Sequence, residues 1–112
     1  MMEEKLYELH ASMCGVFTSA KRLEILNLLR GGELSVGALA KLANLPQANL
    51  SQHLGIMREK GIVNTRRAGV TIYYSLANPK IIKAFDMIRE MLLEKLAQAE
   101  KFSQDIRKTK KV

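Results

Sequence analysis

Apolar residues recur three or four positions apart along much of the chain, the spacing that places side chains on one face of a helix. The first such series predicts a helix over about residues 3–17. A second series predicts another helix, which Thr18 or Ser19 caps and Gly31-Gly32 ends. The amino-terminal third of the chain is therefore expected to be helical.

Two short helices joined by a tight turn are predicted next. Ser35 is a good N-cap for a third helix through Ala43, and Asn44 suits the left-handed position after its last turn. Pro46 suits the first turn of a fourth helix. Two helices connected by about three residues have helix-turn-helix spacing, and the sequence predicts such a unit over residues 35–60.

The pattern changes after the fourth helix. Residues 62–76 are rich in β-branched and aromatic side chains, with Ala68-Gly69 near their middle, which predicts a two-stranded hairpin. A stripe of apolar residues then predicts one long helix over about residues 79–106. The expected fold is mainly α with a small β-hairpin: a single winged helix-turn-helix domain over residues 1–112, in which four helices, a hairpin and a final helix follow one another.

The fourth predicted helix has an apolar back, formed by Leu50, Leu54 and Met57, and a front of small and polar side chains. In a helix-turn-helix unit the second helix lies in the DNA major groove, and its first residues face the base edges. Gln and Asn can pair with adenine through two hydrogen bonds, Ser can bond several bases, and a small side chain lets the helix sit deep. The residues predicted to contact DNA on this helix are Gln47, Ala48, Asn49, Ser51, Gln52 and His53.

The net charge supports a polyanionic partner. The chain carries a formal +7, and residues 21–80 alone hold nine basic and three acidic residues, a net of +6. Arg66 and Arg67 are predicted beside the hairpin tip, where a basic hairpin can act as a wing that reaches the DNA backbone or a minor groove. Three further basic residues are candidate phosphate contacts, with solvated surface charge as the alternative: Lys41, Arg58 and Lys60.

Composition argues against several other classes of protein. A lone cysteine, Cys14, allows no intrachain disulfide and favours a reducing cytosol. The first residues are acidic where a signal peptide is basic, and no run of eighteen apolar residues occurs, so we expect a cytoplasmic protein with no membrane partner. With only two histidines and no glycine-rich phosphate loop, the sequence predicts neither an enzyme nor a cofactor.

The chain resembles the ArsR/SmtB family of small bacterial and archaeal winged-helix repressors over residues 12–77. The resemblance is carried by "RLEILNLL" before a Gly-Glu-Leu step, by "LSQHLGIMREKGIV", and by a wing glycine followed by "YYSL". It implies a homodimer held by the first and last helices, which binds a palindromic operator in double-stranded DNA. Repressors of this family are usually released by an inducer, and the sequence identifies neither an inducer nor whether one exists. The long final helix independently needs a partner for its apolar face. The residues expected at the dimer interface are Leu6, Leu9, Met13, Phe85, Ile88, Leu92 and Leu96.

The sequence departs from the metal-sensing members of this family. Such members often carry Cys-x-Cys in the third helix, where "ELSVGAL" here has Ser35 and Gly37. Others use Asp and His on the last helix, which here has no histidine. No metal site is therefore predicted, and the remaining candidate ligands are His10 and Cys14, four residues apart on the first helix, with ordinary packing as the simpler interpretation.

Two alternatives stay open at this point. Winged helices are also used for protein contacts without DNA, although the basic middle of the chain argues against that use. The other alternative is a repressor that responds to oxidation or to a metal through Cys14.

Overall fold

The computed structural model describes residues 2–110, and the side chains of residues 2–108. Five helices and three strands follow in the order α1 Met2–Cys14, α2 Ala20–Leu28, β1 Leu34–Ser35, α3 Val36–Ala43, α4 Gln47–Glu59, β2 Val63–Ala68, β3 Thr71–Leu76 and α5 Lys80–Lys110, with short 3-10 turns at Gly15–Thr18 and Leu29–Gly31. The chain divides into two units, one ending at Ile82 and the other beginning at Lys83. The mainly helical winged fold predicted from the sequence is confirmed.

Side-chain caps fix where the helices begin. Ser19 Oγ accepts a hydrogen bond from the backbone nitrogen of Arg22 at 3.3 Å, and Ser35 Oγ accepts one from that of Ala38 at 3.1 Å. Each bond satisfies one of the N–H groups that a helix leaves unpaired at its start. Ser19, rather than Thr18, is therefore the cap of α2, and Ser35 caps α3 as expected.

The turn between α3 and α4 depends on Asn44. Its backbone is left-handed, with φ 53° and ψ 51°, and the nitrogen of Leu45 donates to the oxygen of Ala40 at 3.0 Å. This arrangement closes the end of α3 and turns the chain sharply, as predicted. Pro46 lies just before the first residue of α4 rather than in its first turn.

The sheet has one strand more than the sequence predicted. Its order is β1-β3-β2, all antiparallel, and Tyr73 pairs with Arg66 on one side and with Ser35 on the other. Because β1 has only two residues, it leaves no alternating pattern that could be recognised. The hairpin turns at Gly69-Val70, one residue beyond the predicted position, and the φ of 62° at Gly69 is what the first central position of a type II′ turn requires.

The core of the first unit lies between α2, α3, α4 and the base of the hairpin. Its most buried side chains, all with an exposure of 0–2%, are Val16, Ile25, Leu26, Leu29, Leu39, Ala43, Leu50, Leu54, Met57, Ile62 and Val63. Three of these come from α4, so burial of that helix's apolar side fixes its rotation about its own axis. The opposite side of α4 is thereby presented to solvent.

Two helix boundaries differ from the prediction. The first helix ends at Cys14, and a 3-10 turn follows in which Thr18 Oγ1 donates to the oxygen of Gly15 at 2.7 Å. Glycine is a poor helix former, and the Thr18 hydroxyl stabilises the tighter turn instead. The last helix continues to Lys110, beyond the predicted end near residue 106, because no helix-breaking residue interrupts it.

Candidate nucleic-acid interface

Helix α4 separates its apolar and polar side chains as the sequence predicted. Leu50, Leu54 and Met57 are completely buried. On the other side, five of the residues predicted to contact DNA are exposed: Gln47, Ala48, Asn49, Ser51 and Gln52. The first turn carries no acidic residue, so nothing there opposes the partial positive charge of the helix start. The exposed side chains are short or amide-bearing, which suits hydrogen bonding to base edges.

His53 differs from its neighbours on α4. Its side chain is half-buried, and Nδ1 is buried with no hydrogen-bond partner among the described residues. Only part of the ring faces solvent, so His53 has less surface to offer DNA than Gln52. It lies at the edge of the polar front, and its predicted contact with DNA stays a prediction.

The three candidate phosphate contacts Lys41, Arg58 and Lys60 also have positions that allow a role in stabilising the fold. Lys41 and Arg58 are exposed and lie in the last turns of α3 and α4, where a cation also stabilises the helix end. Lys60 donates to the oxygen and the Oγ of Ser12, at 2.8 and 2.7 Å. Lys60 therefore joins the end of α4 to α1, a contact that the sequence did not indicate.

The two wing arginines have different surroundings. Arg67 is exposed near the hairpin tip and donates from Nε to the oxygen of Gly69 at 3.2 Å. Arg66 instead donates from Nε to Oε2 of Glu33 at 3.1 Å and from Nη2 to Oε1 of Glu33 at 2.5 Å. Its guanidinium carbon also lies 4.6 Å from the centroid of the Tyr73 ring. Successive side chains of a strand point to opposite faces, so the two arginines do not share a face.

The pairing of Arg66 with Glu33 shifts the pKa of both groups. The hydrogen bond from Arg66 and the charge of Arg66 lower the pKa of Glu33, while its partial desolvation acts in the opposite direction. The same hydrogen bond and the charge of Glu33 raise the pKa of Arg66. Both groups are thus charged at neutral pH, and the pair is a salt bridge with two parallel hydrogen bonds.

Glu33 is the residue of this region that sequence analysis missed. It lies 33 residues before Arg66, and no local pattern connects the two positions. The only indication in the sequence was the acidic character of Glu33 in a basic part of the chain. That indication points to Arg66 only once β1 is known to join the sheet beside the wing. Val70, at the hairpin tip and 96% exposed, was also not singled out.

The candidate effector residues form no evident metal site. His10 and Cys14 are both exposed on α1. Among the described residues, no three His, Cys, Asp or Glu side chains lie close enough together to hold a metal ion. Likewise, none of the described helices is both long and apolar enough to cross a membrane.

Six of the seven predicted dimer residues are exposed in the single chain. On α1 these are Leu6, Leu9 and Met13, and on α5 they are Ile88, Leu92 and Leu96, each with 47–64% of its surface exposed. Phe85, in contrast, is 4% exposed, and the guanidinium carbon of Arg89 lies 4.5 Å from the centroid of its ring. Exposed apolar residues repeated along a helix are typical of an interface with another chain.

Comparison with known proteins decides the family. The family model described as bacterial regulatory protein, arsR family, matches residues 19–65, which contain α2, the helix-turn-helix unit and the start of the wing. The HTH-type transcriptional regulator Rv0081 of Mycobacterium tuberculosis is 35% identical over 108 residues, which cover 96% of this chain and 95% of the relative. The chain belongs to the arsR family. This ArsR-family protein is a winged helix-turn-helix transcriptional regulator, a class that acts by binding DNA.

Two further relatives extend the comparison. The homodimeric winged helix-turn-helix DNA-binding domain of Mb0332 from Mycobacterium bovis, a possible ArsR-family regulator, superposes with a TM-score of 0.79 at 27% identity, covering 86% of this chain and 89% of that one. A biofilm growth-associated repressor of Agrobacterium fabrum is 37% identical over 87 residues, or 78% of this chain and 74% of the relative. Both similarities include the helix-turn-helix region.

Proposed function

We propose that this ArsR-family protein is a homodimeric repressor that binds a palindromic operator and acts in the cytoplasm, without enzymatic activity. The observation that carries the proposal is the division of α4 into a buried apolar side and an exposed polar front. The amide and hydroxyl side chains gathered at its first turns are of the kind that form hydrogen bonds with base edges in the major groove. The homodimer of the Mb0332 domain and the repressor function of the Agrobacterium relative support the assembly and the direction of control.

In this proposal the chain is a single domain over residues 1–112, and base contact, phosphate contact and dimerisation are assigned to three different parts of it. The helix-turn-helix unit places Gln47, Asn49 and Gln52 against base edges in the major groove. Arg67 contacts phosphate from the wing, and the exposed apolar faces of α1 and α5 hold the second copy. Two such copies present their α4 helices to half-sites about one helical turn of DNA apart, roughly 34 Å. The operator is palindromic in this proposal because the two copies are related by two-fold symmetry.

The test begins with selection of the operator from fragments of the genome that encodes the protein. Fluorescence anisotropy then measures binding to the selected duplex and to a random duplex of equal length. We expect a Kd of about 10⁻⁸ M or lower for the operator, at least about a thousandfold tighter than for the random duplex. Loss of a two-bond contact to a base costs about 1–3 kcal/mol, so Gln52→Ala should weaken operator binding by about 5- to 150-fold.

A matched control separates base contact from a general effect of the substitution. Gln98 is an exposed glutamine on α5, outside the helix-turn-helix unit, and Gln98→Ala makes the same chemical change. We expect Gln98→Ala to leave operator binding unchanged. Equal weakening of both duplexes by Gln52→Ala would remove that residue from the base contacts. A wild-type protein without preference for any selected fragment would favour the protein-interaction alternative.

Transcription from a reporter placed behind the operator tests the direction of control. Repression by the wild-type protein is the expected result, and activation would correct that part of the proposal. The anisotropy measurement, repeated with mildly oxidised protein, tests Cys14, whose thiol is exposed. Binding that is lost on oxidation and retained in Cys14→Ser would assign the response to that thiol.

A further inference from the structure

The Glu33–Arg66 salt bridge joins the wing to the segment that begins α3. Glu33 follows Gly32, whose φ of 127° belongs to the left-handed half of backbone space that favours glycine. Glu33 then immediately precedes β1, and β1 runs directly into the cap of α3 at Ser35. A side chain anchored at Glu33 is therefore attached to the first helix of the helix-turn-helix unit through two residues of extended backbone.

The opposite partner, Arg66, lies in the middle of the wing. Its neighbour across the ladder is Tyr73 of β3, and the next neighbour of Tyr73 is Ser35 of β1. The guanidinium carbon lies 4.6 Å from the Tyr73 ring centroid, and the two nitrogens on its edge donate to Glu33. The contact thus crosses all three strands, from the outer strand of the wing to the segment that begins α3.

We propose that Glu33, Arg66 and Tyr73 form a clamp that sets the orientation of the wing relative to the helix-turn-helix unit, and thereby to its recognition helix α4, so that Arg66 is a positioning residue and not a phosphate contact. The proposal deepens the proposed function and rests on it. Two parallel bonds to a planar guanidinium fix direction as well as distance, which a single flexible ammonium contact does not. The side chains remain 56% and 38% exposed, and exposed pairs contribute little to global stability. The effect of the clamp is therefore expected in DNA specificity and not in the thermal midpoint.

The clamp and simple electrostatics predict opposite results for one substitution. Glu33→Gln removes a negative charge close to the DNA-binding region. If Glu33 acts only by repelling phosphate, the variant binds operator and random DNA more tightly. If the clamp orients the wing, the variant binds the operator more weakly, because Arg66 is released and the wing loses its fixed direction, while random DNA is bound at least as well as before.

The experiment compares binding to the selected operator and to a random duplex for the wild type and four variants. Glu33→Gln and Arg66→Lys should each lower the ratio of operator to random affinity by about fivefold, a middling effect for positions that act without touching the ligand. Arg66→Lys is informative because it keeps the charge but loses the planar two-bond contact with Glu33. The exchange of both residues, Glu33→Arg with Arg66→Glu, should restore part of the ratio because it rebuilds the pair.

Glu24→Gln is the matched control. Glu24 is also partly exposed and accepts from Lys21 at 3.1 Å, so the control removes one charge and one exposed ion pair elsewhere in the same unit. We expect it to leave the affinity ratio unchanged. A Glu33→Gln variant that tightens both duplexes equally, as Glu24→Gln is free to do, would overturn the clamp while leaving the regulator function intact. A wild type that shows no preference for the operator would overturn the proposed function and the clamp with it.

A second readout concerns salt. Each phosphate contact contributes about 0.9 to the slope of log affinity against log salt concentration. Because Glu33 already neutralises Arg66, Arg66→Gln should leave that slope unchanged even though it weakens operator binding. A slope reduced by about 0.9 would show that Arg66 contacts phosphate directly, and would overturn its assignment as a positioning residue.

Discussion

Leu50 connects the folding of the helix-turn-helix unit to the presentation of its polar front. Its side chain has no exposed surface and lies on the buried side of α4, beside exposed Asn49 and Ser51. Leu50→Ala removes three buried carbon atoms without altering any residue predicted to contact DNA. Leu→Ala at such sites costs about 2–5 kcal/mol, because the lost transfer free energy is added to the cost of the cavity left behind.

The thermal consequence follows from the size of the chain. The entropy of unfolding is about 2.1 cal/mol/K per residue, which for 112 residues amounts to about 0.23 kcal/mol/K. A loss of about 3 kcal/mol then lowers the midpoint of thermal unfolding by about 13 °C. Circular dichroism at fixed protein concentration measures this shift, and the concentration must be fixed because a dimer's midpoint depends on it.

Leu42→Ala is the matched control for this prediction. Leu42 lies on the neighbouring helix α3 but is 55% exposed, so the same truncation leaves no enclosed cavity. We expect it to cost less than about 1 kcal/mol. Equal shifts for Leu50→Ala and Leu42→Ala would refute the assignment of Leu50 to the core, and with it the rotation of α4 that turns its polar side outward.

Three further predictions concern the turn, the wing and pH. Asn44 has φ 53°, so Asn44→Ala should lower the free energy of unfolding in urea by about 1 kcal/mol while Asn44→Gly changes it little, and equal losses would contradict the need for a left-handed residue. Arg67→Gln should reduce the salt slope of operator binding by about 0.9, and an unchanged slope would remove Arg67 from the phosphate contacts. Arg66 lowers the pKa of Glu33 in the folded state, so the pair's contribution to the free energy of unfolding is complete above the ordinary glutamate pKa and is lost as the pH falls through the lowered pKa. In Arg66→Gln, NMR should show the Glu33 carboxyl titrating at higher pH than in the wild type. Coincident titration curves would contradict the pairing.

Local signals in the sequence were sufficient for most of the fold. Ser35 and Asn44 indicate the beginning and end of α3, because helix capping and left-handed turns depend on the chemistry of one or two residues. The apolar spacing of Leu50, Leu54 and Met57 likewise fixes which side of α4 is buried. Features that depend on neighbouring residues alone were therefore predictable, including the polar front of the recognition helix.

What could not be predicted depends on contacts between distant segments. The two-residue strand β1 exists because Leu34 and Ser35 pair with Tyr74 and Tyr73, about forty positions later. The partner of Arg66 could not be identified without that strand, and the sequence therefore assigned Arg66 and Arg67 the same role. Lys60 was a candidate phosphate contact because its partner Ser12 lies 48 residues earlier in the chain, and no local pattern connects the two positions.

The most direct test of the DNA-binding face is an NMR titration of the ¹⁵N-labelled protein with the selected operator, set beside one with a random duplex of equal length. We expect the operator to shift the amides of residues 47–53 and of Gly69 at the wing tip, and the random duplex to shift them less and in a salt-sensitive way. Shifts confined to α1, or no difference between the two duplexes at the start of α4, would contradict the assignment of that helix to sequence recognition.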